Sequence, residues 1–339
     1  MTKCRAGTSS TRTPQHVLKK GADTTMSTRP EHITRRGLLG AAVEGALIFA
    51  QASEASRPSR IIDTHTHFYD PTRPQGVPWP ARSEPLLYRR TLPEDLRKVV
   101  QRLRVTGTVV VEASPWTEDN QWLLDLAKEN PIVVGIVGHL EPGGPMFKSH
   151  LQRFTQHRLF RGIRIDGKSI ATGLAQPAFI ADLHRLVDAD LELDAIGEDS
   201  LLTDLVTLSD RVPHLRIVIN HLPFDPPEDE NARSKVRNTL RELGRRPQVY
   251  AKVSGVLRRI DGRVPLESTF YRQSLDQLWD TFGVDHLVYG SNWPVSNLLA
   301  PYDAVLHVVC EYFLAKGAEP TEKYFWKNSL AVYKWLDNS

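Results

Sequence analysis

Three histidines are candidates for metal-assisted or acid–base chemistry. His65 and His67 are two residues apart, and His221 ends a β-branched run that begins at Ile217. Side chains two residues apart on a strand point to the same face, so the first two imidazoles are expected to project together. Two neutral imidazoles supply half of a first-row metal site. The alternative interpretation is that these are hydrogen-bonded histidines with a structural role.

Three further polar groups lie where strands are expected to end. The amide of Asn292 can donate and accept hydrogen bonds, but it cannot take a proton as a base. Glu112 and Asp194 could each act as a base or a metal ligand. Each could equally be a solvated loop acid, and the sequence leaves this choice open.

Charged and aromatic side chains at comparable positions suggest contacts with a substrate. Arg164 and Lys252 fall within apolar strands, where a buried cation needs an anionic partner. That partner could be a carboxylate of the protein or a group of the substrate. Trp79, Trp116 and Trp293 follow predicted strands, where they could form walls for a ring-shaped ligand or pack the loops.

The elements that must position these groups alternate between strand and helix. Eight strands are predicted, at residues 60–63, 108–112, 132–137, 160–165, 191–195, 216–221, 249–253 and 286–290. Amphipathic helices between them are predicted at residues 118–129, 177–188, 200–211, 230–243 and 266–282, and a final helix outside the barrel at 321–336. Near-continuous apolar strands separated by helices indicate a parallel sheet covered on both faces. Eight such units favour an α/β fold of the (β/α)8 TIM-barrel type, with an additional C-terminal helix. No glycine-rich phosphate loop follows the first strand, which argues against a dinucleotide-binding fold.

Charge is unevenly distributed along the 339 residues. The net charge is +3, but residues 1–56 carry +4 and the remainder carries −1. A nearly neutral body lacks the basic surface expected of a nucleic-acid-binding protein, so we expect a small-molecule ligand and no nucleic-acid partner. The two cysteines, Cys4 and Cys310, neither require nor exclude an oxidising compartment.

The first 56 residues resemble an export signal. Arg35-Arg36 precedes a mostly apolar stretch from Gly37 to Ala52, and Ala50-Gln51-Ala52 has the small-x-small form of a cleavage site. The arginine pair predicts recognition by the twin-arginine export machinery and a periplasmic or secreted protein with no stable membrane span after processing. The alternatives are a disordered N-terminus on a cytoplasmic protein and a true start at Met26. We therefore divide the chain into an N-terminal extension with signal peptide (1–56) and a barrel domain (57–339).

The motifs at these positions resemble the amidohydrolase-related family of metal-dependent TIM-barrel hydrolases, from residue 60 to about 335. The matching motifs are Ile62-Asp63-Thr64-His65-Thr66-His67, Phe160-Arg161-Gly162-Ile163-Arg164, Asn220-His221-Leu222, Lys252-Val253-Ser254-Gly255 and Tyr289-Gly290-Ser291-Asn292-Trp293-Pro294. The resemblance is to the branch that contains lactonases of sugar acids and of 2-pyrone-4,6-dicarboxylate. Two departures occur: Asn292 replaces the Asp that family members usually have, and Asp194 lies near the place where many have a histidine.

The resemblance implies hydrolysis of a cyclic ester of a carboxylated or sugar-acid substrate. Water would attack the carbonyl, with the oxyanion stabilised by His65 and His67 or by a divalent ion on His65, His67 and His221, for which zinc is the expected metal. His221, Asp194 and Glu112 are the candidate bases. Arg164 or Lys252 would hold a substrate carboxylate. Catalysis without metal, a related metal-dependent decarboxylase and a degenerate periplasmic ligand-binding barrel remain alternatives, and the sequence predicts no oligomeric state.

Overall fold

Eight parallel strands follow one another around a barrel in the computed structural model, which describes residues 57–225 and 227–337. The strands are β1 Ile61–Thr66, β2 Val105–Val111, β3 Val133–Gly138, β4 Phe160–Asp166, β5 Glu192–Ile196, β6 Ile217–Leu222, β7 Val249–Val253 and β8 Leu287–Tyr289. Each strand pairs with the next in sequence order. A parallel bridge from Thr66 to Trp293 joins the end of β1 to the segment after β8. The predicted (β/α)8 fold is therefore confirmed.

Helices cover the outside of the barrel. They are α1 Pro93–Val100, α2 Thr117–Lys128, α3 Phe147–Phe154, α4 Gly167–Gly173, α5 Pro177–Asp188, α6 Leu201–Arg211, α7 Glu230–Gly244, α8 Ser268–Phe282, α9 Tyr302–Lys316, α10 Ala318–Glu322 and α11 Asn328–Tyr333. The five amphipathic helices predicted from sequence are present within two residues of their expected bounds. None of the helices in the described ranges is long and apolar enough to span a membrane.

The C-terminal segment differs from the single helix expected on the outside of the barrel. It is divided into α10, a π-helical turn Lys323–Lys327, and α11, which is followed by Lys334 with φ +50°. Tyr333 and Trp335 then pack into a buried cluster with residues of several strands. Leu336 N–H donates to the carbonyl of Val134 at 2.9 Å, near the beginning of β3. The segment therefore covers the amino-terminal end of the barrel.

Candidate active site at the carboxyl end of the barrel

A cavity of about 1040 Å³ opens at the carboxyl ends of the strands. This is the end at which TIM-barrel enzymes hold their active sites. Six of the predicted site residues line it: His67, Trp79, Glu112, Arg164, His221 and Asn292. They come from five of the eight strands or the loops that follow them, so the barrel brings together side chains that are distant in sequence.

His65 lies against this group in the barrel interior. Its ring centroid is 4.9 Å from that of His67 and 4.5 Å from that of His221. The side chain is completely buried, and neither ring nitrogen has a hydrogen-bond partner. The other two imidazoles are each held through Nδ1. His67 Nδ1 lies 2.9 Å from the Val111 carbonyl, and His221 Nδ1 lies 3.1 Å from Ser254 Oγ. Their Nε2 atoms make no hydrogen bond within the described residues, which leaves both for a ligand.

Burial is the main cause that keeps these imidazoles neutral. It lowers the pKa of His67 to about 3, and the positive charge of Arg164 contributes further. The same two causes lower the pKa of His221 to about 3. Burial and then the charge of Lys252 place the pKa of His65 well below its usual value. At neutral pH each ring can therefore donate one hydrogen bond and accept another.

Two site residues have a backbone conformation with positive φ, which is costly for residues other than glycine. His221 has φ +60° and Asn292 has φ +58°. Such conformations cost about 1–3 kcal/mol each and cluster at functional sites. The neighbouring glycines permit the close packing, because a Cβ at Gly255 would lie 2.6 Å from the His221 carbonyl oxygen. A Cβ at Gly290 would lie 2.8 Å from Cβ of His65.

Asp63 connects the end of β1 to the loop after β8. Its Oδ1 accepts from the backbone N–H of His65 at 3.1 Å and of Ser291 at 2.9 Å, and Oδ2 accepts from the Tyr302 hydroxyl at 2.9 Å. Burial raises the pKa of Asp63, whereas these hydrogen bonds act in the opposite direction. Asp63 thus ties the backbone at His65 to the backbone at Ser291, next to Asn292.

Arg164 and Glu112 form an ion pair in the cavity wall. Arg164 Nε donates to Glu112 Oε1 at 2.9 Å, and Nη2 donates to the Glu112 carbonyl at 2.6 Å. Both side chains are about one-seventh exposed. Within the described residues Arg164 Nη1 has no protein acceptor, so its N–H groups are available to a ligand.

Besides His65, four of the predicted site residues do not line the cavity. Asp194 and Lys252 are fully buried in the barrel interior, where Lys252 Nζ donates to Asp194 Oδ2 at 2.5 Å. The Tyr333 hydroxyl donates a hydrogen bond to Asp194 Oδ1 at 2.8 Å. Asp194, a predicted base, and Lys252, a predicted carboxylate clamp, are therefore paired with groups of the protein and do not face the cavity.

The two tryptophans among these four also lie elsewhere. Trp116 precedes α2 and is 38% exposed outside the cavity. Trp293 is buried in the core against Phe68. Of the three predicted aromatic walls only Trp79 is present, packed edge-on against His67 with ring centroids 5.7 Å apart. Proximity to a strand end was an insufficient criterion because loop side chains can turn outward or into the core.

Several cavity residues were missed by the sequence interpretation. His139 directly follows β3, and Lys168 lies in α4 after β4. The position of His139 immediately after the predicted third strand was a usable signal. Lys168 had no comparable signal, since an exposed lysine near a helix start is a common surface residue.

The donor set can be compared with the requirements of a divalent metal ion. The unpartnered, buried nitrogens of His65 and the unbonded Nε2 atoms of His67 and His221 suit an ion that prefers nitrogen ligands. However, the described ranges contain no group of three or more His, Cys, Asp or Glu side chains already arranged around one point. The imidazoles fit a metal by their chemistry, and the remaining ligands would have to be water or substrate.

Comparison with known proteins places this site in a family. Residues 62–335 match the amidohydrolase family. An L-fucono-1,5-lactonase of Burkholderia ambifaria is 30% identical over 285 residues, which cover 80% of this chain and 95% of that protein. An L-fucono-1,5-lactonase of Burkholderia multivorans is 27% identical, with 80% and 94% covered.

A crystal structure of an amidohydrolase from Burkholderia multivorans with bound zinc has the same fold. It superposes with a TM-score of 0.72 at 24% identity, covering 82% of this chain and 100% of that one. The family match extends over most of the chain, from Ile62 in β1 to beyond α11, and so includes β2 to β8 entirely. This protein belongs to the amidohydrolase family.

Proposed function

We propose that this protein opens a lactone of a hydroxylated sugar acid by hydrolysis. The observation that carries the proposal is one cavity in which imidazoles, an amide and a guanidinium with free N–H groups lie together at the carboxyl end of the barrel. These groups suit an ester carbonyl, because its oxygen gains negative charge when water attacks. The two lactonase relatives support a cyclic ester as the substrate class.

Arg164 would bind the substrate at the polar end of the cavity. Glu112 fixes the guanidinium through two hydrogen bonds, so Nη1 is oriented before the substrate arrives. A preorganised cation in a partly buried wall stabilises developing negative charge more strongly than a mobile one. The Asn292 amide can donate a further hydrogen bond to the carbonyl oxygen. The one proton of neutral His67 lies on Nδ1, toward the Val111 carbonyl, so its Nε2 is an acceptor or a ligand.

His221 is the proposed base for the attacking water. With the proton on Nδ1 donated to Ser254 Oγ, Nε2 keeps a lone pair that can accept a proton. Water adds to the carbonyl carbon and gives its proton to Nε2. When the ring C–O bond breaks, the imidazolium returns that proton to the departing oxygen, so charge and atoms balance. A pKa of about 3 makes His221 a weak base that is neutral at neutral pH.

Membership of the family, together with the zinc in a similar solved protein, indicates a divalent metal as a cofactor. We propose zinc as the ion and His65, His67 and His221 as the residues that would hold it. If His221 Nε2 binds zinc it cannot also take the proton from water, so the metal-bound scheme and the scheme with His221 as base are alternatives. When bound, a zinc ion supplies Lewis-acid polarisation of a carbonyl group. Assays with added zinc and with a chelator, alongside elemental analysis of the purified protein, test this assignment.

The activity is tested with a panel of five- and six-membered aldonolactones, followed by proton release and product identification. We expect ring opening without loss of carbon dioxide. His221→Ala is expected to reduce kcat by about 10²–10⁴-fold because it removes a general base. Asn292→Ala should cost less, because it removes only a hydrogen bond. A protein that opens none of these lactones, with or without zinc, refutes the proposal.

We also propose that the chain is exported as a folded protein through the twin-arginine route. The supporting motif, Arg35-Arg36 with its apolar continuation, lies outside the described residues. Replacing both arginines by lysine is expected to retain the precursor in the cytoplasm. Cell fractionation decides the matter, and unprocessed wild-type protein confined to the cytoplasm contradicts it.

A further inference from the structure

One side of the cavity carries a second group of polar residues that the proposed reaction does not use. His139 follows β3 directly, and Glu141 is two residues further along the same loop. Their side chains face each other, with His139 Nε2 3.9 Å from Glu141 Oε1. His139 Nε2 is buried and has no hydrogen-bond partner, while Glu141 is exposed. The imidazole therefore has a free polar atom beside an accessible carboxylate.

The fold holds His139 in place from behind. Asn120, which is almost fully buried on α2, accepts from the His139 N–H at 2.8 Å and donates to the His139 carbonyl at 2.8 Å. Gly138 is required for this contact, because a Cβ there would lie 2.4 Å from Asn120 Oδ1. A buried side chain that uses its whole amide on one residue's backbone gives that residue a defined position. His139 is thus presented to the cavity on a fixed support.

The surroundings of this pair indicate the kind of group it would bind. The same wall includes Thr172 and Gln176, which are exposed and uncharged. Glu141 would repel a substrate carboxylate, whereas a carboxylate and an imidazole together can accept from and donate to hydroxyl groups. The cavity also lies at the upper end of the size range of ligand pockets, about 300–1,000 Å³. A simple lactone ring held near His221 therefore leaves this wall for a substituent.

We infer that His139 and Glu141 form a recognition subsite for a hydroxyl-bearing substituent of the lactone, and that they determine specificity without touching the reacting atoms. This inference rests on the proposed lactonase function and deepens it. The hydroxyl groups would donate to Glu141 and exchange a hydrogen bond with the partly exposed imidazole of His139. A substrate with a bare ring would gain nothing from this wall.

The test compares two six-membered lactones on purified protein: an aldono-1,5-lactone, which carries hydroxyl groups, and δ-valerolactone, which carries none. His139→Ala and Glu141→Gln are each expected to lower kcat/KM for the aldonolactone by about 10- to 100-fold, mainly through KM, the size expected for lost hydrogen bonds to a charged or buried group. For δ-valerolactone, which has no hydroxyl group to lose a hydrogen bond, kcat/KM of the same variants should stay close to the wild-type value. His184→Ala, which removes an exposed histidine on α5, is the matched control and should change neither value.

The outcomes separate failure of the inference from failure of the proposed function. If the wild-type protein opens neither lactone, the proposed function is wrong. If it opens both and His139→Ala reduces both equally, the subsite is refuted and His139 acts on the reacting atoms or on the fold. His139→Gln, which keeps a hydrogen-bonding group, should restore part of the discrimination. It also provides a folded comparison if His139→Ala lowers the thermal midpoint.

Discussion

Two carboxylate–cation pairs in this barrel have the same chemistry and different surroundings. Glu112 and Arg164 belong to the ends of β2 and β4, and Asp194 and Lys252 to β5 and β7. Each pair therefore bridges two strands with one strand between them, as expected when alternate strands contribute to one layer of a TIM barrel. The first pair lies in the cavity wall, whereas the second is completely buried.

Depth determines which hydrogen bonds each pair has left to offer. The buried pair is closed, because Asp194 receives Lys252 on one oxygen and Tyr333 on the other. Burial lowers the pKa of Lys252, and the charge of Asp194 counteracts this. The wall pair is open, since Glu112 occupies two donors of Arg164 and leaves Nη1 toward the cavity. The same residue types thus support the fold in one place and face a substrate in the other.

The largest effect is expected when the buried pair is broken. Lys252→Met leaves Asp194 as an uncompensated buried charge and should lower the free energy of unfolding by about 3–5 kcal/mol. Urea denaturation measures this loss. The double variant Asp194→Leu with Lys252→Met should recover most of it, because neither charge then remains buried. A single variant as stable as the wild type would show that the pair is not structural.

A somewhat smaller effect, of a different kind, is expected in the wall. Arg164→Ala should reduce kcat/KM by about 10²–10³-fold, the loss typical of one donor to a developing oxyanion. Its unfolding free energy should change far less than that of Lys252→Met, since Glu112 remains accessible to water. Arg164→Lys keeps the charge without the planar fork and should recover only part of the activity. Equal losses of stability in Arg164→Ala and Lys252→Met would remove the distinction drawn between the two pairs.

Sequence patterns were sufficient to predict the fold and the end of the barrel at which several site residues lie. The alternation of apolar strands and amphipathic helices predicted the barrel, and residues at strand ends such as His67, Arg164 and His221 were correctly brought to one mouth. This works because the carboxyl ends of all eight parallel strands meet at one end of the barrel. A residue that follows any predicted strand is therefore expected at this end of the barrel, and its position in the sequence is enough to place it there.

Depth and side-chain direction are not carried by such patterns. Asp194 and Arg164 are register partners on neighbouring strands, yet Asp194 is completely buried whereas the longer Arg164 side chain is partly exposed. Trp116 and Trp293 each follow a strand and turn in different directions. Helix α9 has no single polar face, because buried residues surround most of its length, and so amphipathic periodicity did not identify it. His139 could have been predicted, but the asparagine that supports it lies on a different element.

Near pH 5 the smallest expected effect comes from a third carboxyl group beside the buried pair, and this effect grows as the pH rises. Glu192 on β5 is completely buried, and burial, followed by the charge of Asp194, raises its pKa well above 4.5. The folded protein therefore holds a proton on Glu192 that the unfolded chain releases once the pH exceeds about 4.5. From that pH upward this group reduces stability, by about 1.4 kcal/mol per pH unit until it ionises in the folded state. Glu192→Gln keeps the shape without the proton, so its stability relative to the wild type should rise between pH 5 and pH 8, as measured by urea denaturation at several pH values. The neutral amide leaves the Asp194–Lys252 pair as the only ionised groups at that position. A difference between variant and wild type that is independent of pH would mean that Glu192 is ionised in the folded protein, and that the buried layer holds two negative charges against one positive.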